Sequence, residues 1–112
     1  MIVADIDGCL SGGTGHFFDH DLLRELAAAN IASKTDPAVP CITLCTGRPQ
    51  PYVECLLQAI HGYRPALCEG GTLYFDLLSH SIITHPNFGE AEEKLLAELR
   101  HQVDRRLVKK NI

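Results

Sequence analysis

The stretch MIVADIDGCL, residues 1–10, decides how the rest of the chain is read. Met1 to Ala4 is a short uninterrupted apolar run, which suits a strand buried on both faces. It stops at two carboxylates, Asp5 and Asp7, and Gly8 follows at once. Residues two apart on an extended chain point to the same side, so both carboxylates reach one centre if strand geometry continues through Ile6. Two close carboxylates repel, and a bound cation or a shared proton relieves the charge. A hard ion such as Mg²⁺ prefers one or two carboxylates together with phosphate oxygens and water.

Working outward, a glycine-rich loop, SGGTG (11–15), separates this strand from FFDHDLLRELAAANIASK (17–34). There Leu22, Leu23, Leu26 and Ala27 fall at helical spacing, Asp19 stands as N-cap, and Phe18 and Leu23 are placed as a hydrophobic staple. TDPAVP (35–40) is loop chemistry and leads into CITLCT (41–46), a second buried strand rich in β-branched residues. Gly47 breaks it, Pro51 suits the first residue of a helix running to Ile60, and Gly62 is placed to stop that helix. PALCE (65–69) reads as a third strand, and TLYFDLLSHSIITH (72–85) as two strands joined near Ser79 to Ser81. From about Gly89 one long helix is expected. Leu95, Leu99, Val103 and Leu107 form its stripe, with acidic residues at its start and basic ones at its end.

The order β, α, β, α, β with apolar strands predicts an α/β fold, a Rossmann-like parallel sheet with flanking helices. At 112 residues, 46% apolar and 21% charged, the chain is ordinary globular material. Its net charge of −4 argues against a nucleic-acid or anionic-membrane surface. No apolar run approaches the ~20 residues of a membrane span, and the N-terminus lacks signal-peptide character, so a cytoplasmic protein is expected. Five cysteines without a CxxC pair argue against a disulfide framework or zinc knuckle, and free, mostly buried thiols are expected. The six histidines are scattered without ligand spacing, and most are expected at the surface.

In parallel sheets, ligands bind beyond the carboxyl ends of the strands. Asp5 and Asp7 end the first strand and Thr46-Gly47-Arg48 the second, so adjacent pairing of the two strands makes one pocket. The carboxylates, the Thr46 hydroxyl and the backbone N–H groups around Gly47 suit a phosphorylated ligand held by Mg²⁺. DIDGCL resembles the first motif of the haloacid dehalogenase-like phosphohydrolases, and LCTGRP resembles their second. CEGGTLYFD is similar to the segment before the inserted cap of the sugar-phosphate phosphatase branch, with Gly70 where Asn is usual.

The resemblance implies a phosphatase acting on a small phosphate ester. In it Asp5 is the nucleophile forming an aspartyl-phosphate, and Asp7 is the general acid and then base. Thr46 and Gly47 bind the phosphoryl oxygens, and Mg²⁺ is held by Asp5 and the Asp7 backbone carbonyl. It implies an incomplete core over 1–85, ending in a hairpin, and the start of a cap domain over 86–112. Arg48 reads as a solvated or ligand-edge cation. The family's Lys and second acidic pair have no counterpart after His85, so the expectation is the N-terminal portion of a longer phosphatase, with little activity alone. One edge of the first strand is then open. The alternative is a non-catalytic binding protein that completes its sheet with a partner or as a homodimer. A response-regulator receiver ranks lower, because its acceptor Asp ends the third strand, which here ends Cys68-Glu69.

Overall fold

The computed structural model describes residues 1–110, and the last two residues of the 86–112 segment lie outside it. The elements follow the expected order: β1 (Ile2–Ala4), α1 (His20–Ala32), β2 (Ile42–Leu44), α2 (Gln50–Ala59), β3 (Ala66–Cys68), β4 (Leu73–Asp76), β5 (Ser81–Thr84) and α3 (Glu90–Lys109). Strands β1 and β2 run parallel in the register Ile2↔Ile42, Val3↔Thr43, Ala4↔Leu44. The fold is the expected α/β arrangement of a parallel sheet flanked by helices, present in part.

The join between β2 and β3 is a single parallel bridge, Cys45↔Leu67. Pro65, at the entrance to β3, has no N–H to give a ladder. The buried Thr43 hydroxyl takes up the slack, donating to Pro65 O at 2.7 Å with Arg64 O at 3.1 Å. Beyond β3 the sheet turns antiparallel, β3-β4-β5, with Leu67, Tyr74 and Ile83 aligned across it. The hairpin turn lies over Leu77–His80, and Ser81 already begins β5.

Helices α1 and α2 cover one face. Val53, Leu56, Leu57 and Ile60 pack with Ile6, Ile42, Leu44, Ala66, Cys68 and Phe75, while Phe18, Leu23, Leu26 and Ala29 close over them. Leu67, Tyr74 and Ile83 face the other way and are exposed. The expectation that β1 is buried on both faces is corrected: Ile2 and Val3 are exposed and only Ala4 is buried. Strand β1 pairs only with β2 among the described residues, so it is a sheet edge.

Asp19 caps α1 as expected, accepting from Asp21 N at 2.9 Å and Leu22 N at 3.1 Å. The one fully buried residue of α1 is polar: Asn30 donates to Ile60 O at 2.8 Å and accepts from Ile42 N at 2.7 Å. It ties α1, β2 and the end of α2 together. Pro51 is the second residue of α2, not the first, because Pro49 is the N-cap. The end of α2 also differs from expectation. His61, not Gly62, takes the left-handed conformation (φ 52°). Its N–H bonds Gln58 O and the Gly62 N–H bonds Leu57 O, which is a Schellman closure.

Helix α3 carries no buried residue. Its N-cap, Gly89, donates to Glu92 Oε2 at 2.9 Å, which is the half of a capping box that a glycine can make. The radius of gyration, 17.5 Å, exceeds the roughly 13 Å of a compact chain of this length, because α3 stands off the body. No helix among the described residues is long and apolar enough to cross a membrane.

Candidate functional site

The β1 ladder ends at Ala4, but the alternation of faces continues past it. Ile6 is completely buried, and Asp5 and Asp7 on either side are exposed. Ile6 is thus the anchor that turns both carboxylates outward. Its carbonyl accepts from the N–H groups of Cys9, Leu10 and Ser11, which curls the chain back at once. Gly8, at φ 78°, allows that reversal. Asp7 and Ser11 then form an isolated bridge, so the glycine-rich loop returns beside the second carboxylate. Asp5 is held locally, its Oδ1 accepting from Ile6 N at 2.7 Å.

At the end of β2, Thr46 is buried, donating its N–H to Leu67 O and accepting at its carbonyl from Gly70 N. Its hydroxyl accepts from Arg48 N at 3.2 Å, and the Arg48 carbonyl accepts from Glu69 N at 3.0 Å. Glu69 and Gly70 both have positive φ, 52° and 69°, which turns their N–H groups back to the β2 end. Gly47, between Thr46 and Arg48, is exposed with open space around its Cα.

The two strand ends meet through a pair that sequence reading did not assign. Arg48 Nε donates to Asp7 Oδ2 at 2.7 Å and Nη2 to Oδ1 at 2.6 Å. Its guanidinium lies 4.7 Å from the centroid of the Tyr52 ring in the first turn of α2, and Tyr52 in turn meets Phe18. These hydrogen bonds hold the Asp7 carboxyl below its usual value and push Arg48 up. The register carries the signal that was missed: Asp7 and Arg48 stand three and four residues beyond the paired ends Ala4 and Leu44. A cation and an anion at such matched positions of neighbouring parallel strands fall within reach of each other.

The donor set offers oxygen atoms, on Asp5 and on the Asp7 backbone, and so has the hardness that Mg²⁺ prefers. It is part of a coordination shell only. Among the described residues no group of three His, Cys, Asp or Glu converges. The residues present therefore fit a Mg²⁺ that draws its other oxygens from a phosphate and water.

The expected buried thiols are corrected too. Only Cys68 is buried, and that burial pushes its thiol up, while Cys9, Cys45 and Cys55 are exposed. All six histidines are exposed as expected.

This arrangement of strands and helices has counterparts among solved structures. The chain matches a haloacid dehalogenase-like hydrolase from Bacteroides thetaiotaomicron with a TM-score of 0.59 and 18% identity. It shares that fold. The match covers 89% of this chain and 37% of the hydrolase. A protein of Thermoplasma acidophilum matches with a TM-score of 0.53 and 24% identity, over 90% of this chain and 42% of the other. The chain thus spans about two fifths of the length of these two structures. No family model matches it, and no curated protein does.

Proposed function

We propose that this chain carries the phosphoryl-accepting end of a Mg²⁺-dependent phosphohydrolase of the haloacid dehalogenase-like kind, acting on a small phosphate ester. The observation that carries the reading is the convergence of the β1 and β2 ends, which brings the Asp5-Ile6-Asp7 and Thr46-Gly47-Arg48 segments together through the Arg48–Asp7 fork. The shared fold supports it.

An Asp5 carboxylate oxygen attacks phosphorus, the phosphorus–oxygen ester bond breaks, and Asp7 gives its proton to the departing alkoxide. Asp7 then takes a proton from water as that water attacks phosphorus, releasing phosphate and regenerating Asp5. Thr46 and the Gly47 N–H hold the phosphoryl oxygens. Mg²⁺, when held by Asp5 and the Asp7 carbonyl, supplies charge neutralisation for the phosphoryl group. For Asp7 to act as an acid its carboxylate must leave Arg48 and take up a proton from solvent before the ester bond breaks, and a phosphate arriving beside Arg48 competes for the same guanidinium. The sequence has no Lys near the strand ends, and Lys34 sits over the Tyr63 ring instead. We therefore propose slow turnover for these 112 residues alone. Residues 86–112 are assigned as the start of a cap, and a cytoplasmic setting goes with the same reading.

The test is Mg²⁺-dependent capture of beryllofluoride, a mimic of an aspartyl-phosphate, read by fluorine NMR alongside phosphate release from a small ester. Capture by the wild type and none by Asp5→Asn is expected. Capture that survives Asp5→Asn sinks the nucleophile assignment. A second reading, a non-catalytic binding protein, is favoured by the open β1 edge and by the occupation of both Asp7 oxygens. Absence of capture by the wild type at saturating Mg²⁺ selects it.

A further inference from the structure

The segment Arg48-Pro49-Gln50-Pro51-Tyr52 joins the end of β2 to the first turn of α2. Both of its ends are fixed. The Arg48 N–H donates to Thr46 Oγ1 and the Arg48 carbonyl accepts from Glu69 N. At the other end the Tyr52 N–H donates to Pro49 O, and the Tyr52 ring packs at the margin of the core with its centroid 6.4 Å from that of Phe18. Proline has no free φ, and Pro49 sits at −68° as the N-cap. A stiff piece of chain thus brings ring and guanidinium face to face, with Arg48 Cζ 4.7 Å from the ring centroid.

An arginine ordinarily gives up much rotamer freedom when it forms a fork, which is one reason that exposed ion pairs contribute little. Here contact with Tyr52 has already removed that freedom, and it does so without Asp7. The Asp7 side chain is the shorter and the more open of the pair, 39% exposed against 29% for Arg48. We propose that Tyr52 is a positioning residue of this site, holding the Arg48 guanidinium in place whether or not Asp7 occupies the fork, so that Asp7 is the partner that moves. The consequence for chemistry rests on the phosphohydrolase reading. When the Asp7 carboxyl turns to the ester oxygen, Arg48 keeps its Nε and Nη2 hydrogens aimed into the site, a planar fork that matches a pair of phosphate oxygens as it matches a carboxylate.

Proton–nitrogen NMR of the full 112-residue chain reads this arrangement at the Arg48 Nε–H, which the nearby ring face shifts upfield. In Asp7→Ala the upfield shift is expected to persist. Tyr52→Phe is expected to keep both the shift and the protection of that hydrogen from exchange. Tyr52→Leu, with Asp7 still present, is expected to speed the exchange about two- to fivefold, the weight of an exposed cation–π contact. An Arg48 signal that returns to the position of a free arginine in Asp7→Ala overturns the proposal, because the carboxylate is then what holds the guanidinium. So does exchange that Tyr52→Leu leaves unchanged, or a Tyr52→Phe chain that behaves like Tyr52→Leu. Amide spectra confirm that each variant keeps the fold, and Tyr52→Met takes the place of Tyr52→Leu if that chain melts. Beryllofluoride capture by the wild type separates the two readings. Capture together with an Arg48 signal lost in Asp7→Ala overturns the role of Tyr52 alone, and a persistent signal without capture supports that role while overturning the phosphohydrolase reading.

Discussion

Arg48 grips Asp7 through two parallel hydrogen bonds, Nε to Oδ2 at 2.7 Å and Nη2 to Oδ1 at 2.6 Å, and so joins the ends of two neighbouring strands. The guanidinium is also steadied from below by Tyr52. A planar fork matches a carboxylate in a way that a lysine ammonium does not.

The first prediction concerns that fork. Its hydrogen bonds, more than its charge, hold Asp7 below the ordinary 3.8. A carboxyl depressed in the folded state adds stability above its unfolded pKa, and that contribution disappears as pH falls through the folded value. The fork is therefore released only as pH falls through that depressed value, below the ordinary 3.8. Arg48→Met is expected to return the Asp7 titration towards its ordinary value, followed by carbon NMR of the carboxyl. Arg48→Lys should recover only part of the depression. A titration unmoved by Arg48→Met means that the pair does not form in solution.

Asn30 has both ends of its amide engaged in the core, by Ile60 O and Ile42 N. Asn30→Ala leaves a buried carbonyl and a buried N–H without partners and is expected to cost about 2–4 kcal/mol in urea denaturation. Asn30→Asp keeps the acceptor for Ile42 but sets a carboxylate against the Ile60 carbonyl. Its folded pKa is raised, so this variant should be most stable at acid pH and lose stability as pH rises through that value. A loss under about 0.5 kcal/mol for Asn30→Ala, the scatter of surface substitutions, contradicts the clamp.

What the sequence made legible follows from where its signals are local. The strand order, the Asp19 cap and the placing of Asp5, Asp7 and Thr46 at strand ends rest on apolar runs and their breaks, which lie within a few residues. Arg48 reads in the sequence as a solvated or ligand-edge cation because its partner is 41 residues away in the chain. Asn30 escaped for the same reason, since AAANIAS looks like an undistinguished helix end. The burial of β1 was overread because an apolar run records what a strand could bury, and not whether a neighbour is there to cover it.

Thr43 is the third point of test, because β2 meets β3 through one bridge and one hydroxyl. Thr43→Val keeps the shape but leaves the Pro65 carbonyl without that donor. A loss of about 1–2 kcal/mol is expected, with faster amide exchange at Thr46, whose N–H bonds Leu67 O just beyond. Unchanged stability and exchange show that the two strands are held by other contacts.

The close of α2 supplies a pair of predictions with opposite signs at adjacent residues. His61 holds φ at 52°, a left-handed conformation that costs an L-residue with a Cβ about 1 kcal/mol, and its side chain is exposed. His61→Gly removes that penalty and is expected to stabilise the chain by up to about 1 kcal/mol, partly offset by the greater freedom of glycine when unfolded. Gly62 is glycine for a different reason. A Cβ there lies 2.6 Å from Leu57 Cδ2 and 3.5 Å from Leu57 O, and Leu57 is completely buried with no room to retreat. Gly62→Ala is therefore expected to destabilise by about 1–3 kcal/mol as the core is forced open. Thermal melts of the two variants test the assignment: if His61→Gly weakens the chain while Gly62→Ala destabilises it, the left-handed position belongs to Gly62, and if Gly62→Ala is harmless, Leu57 yields to the added Cβ and the close-approach account of Gly62 fails.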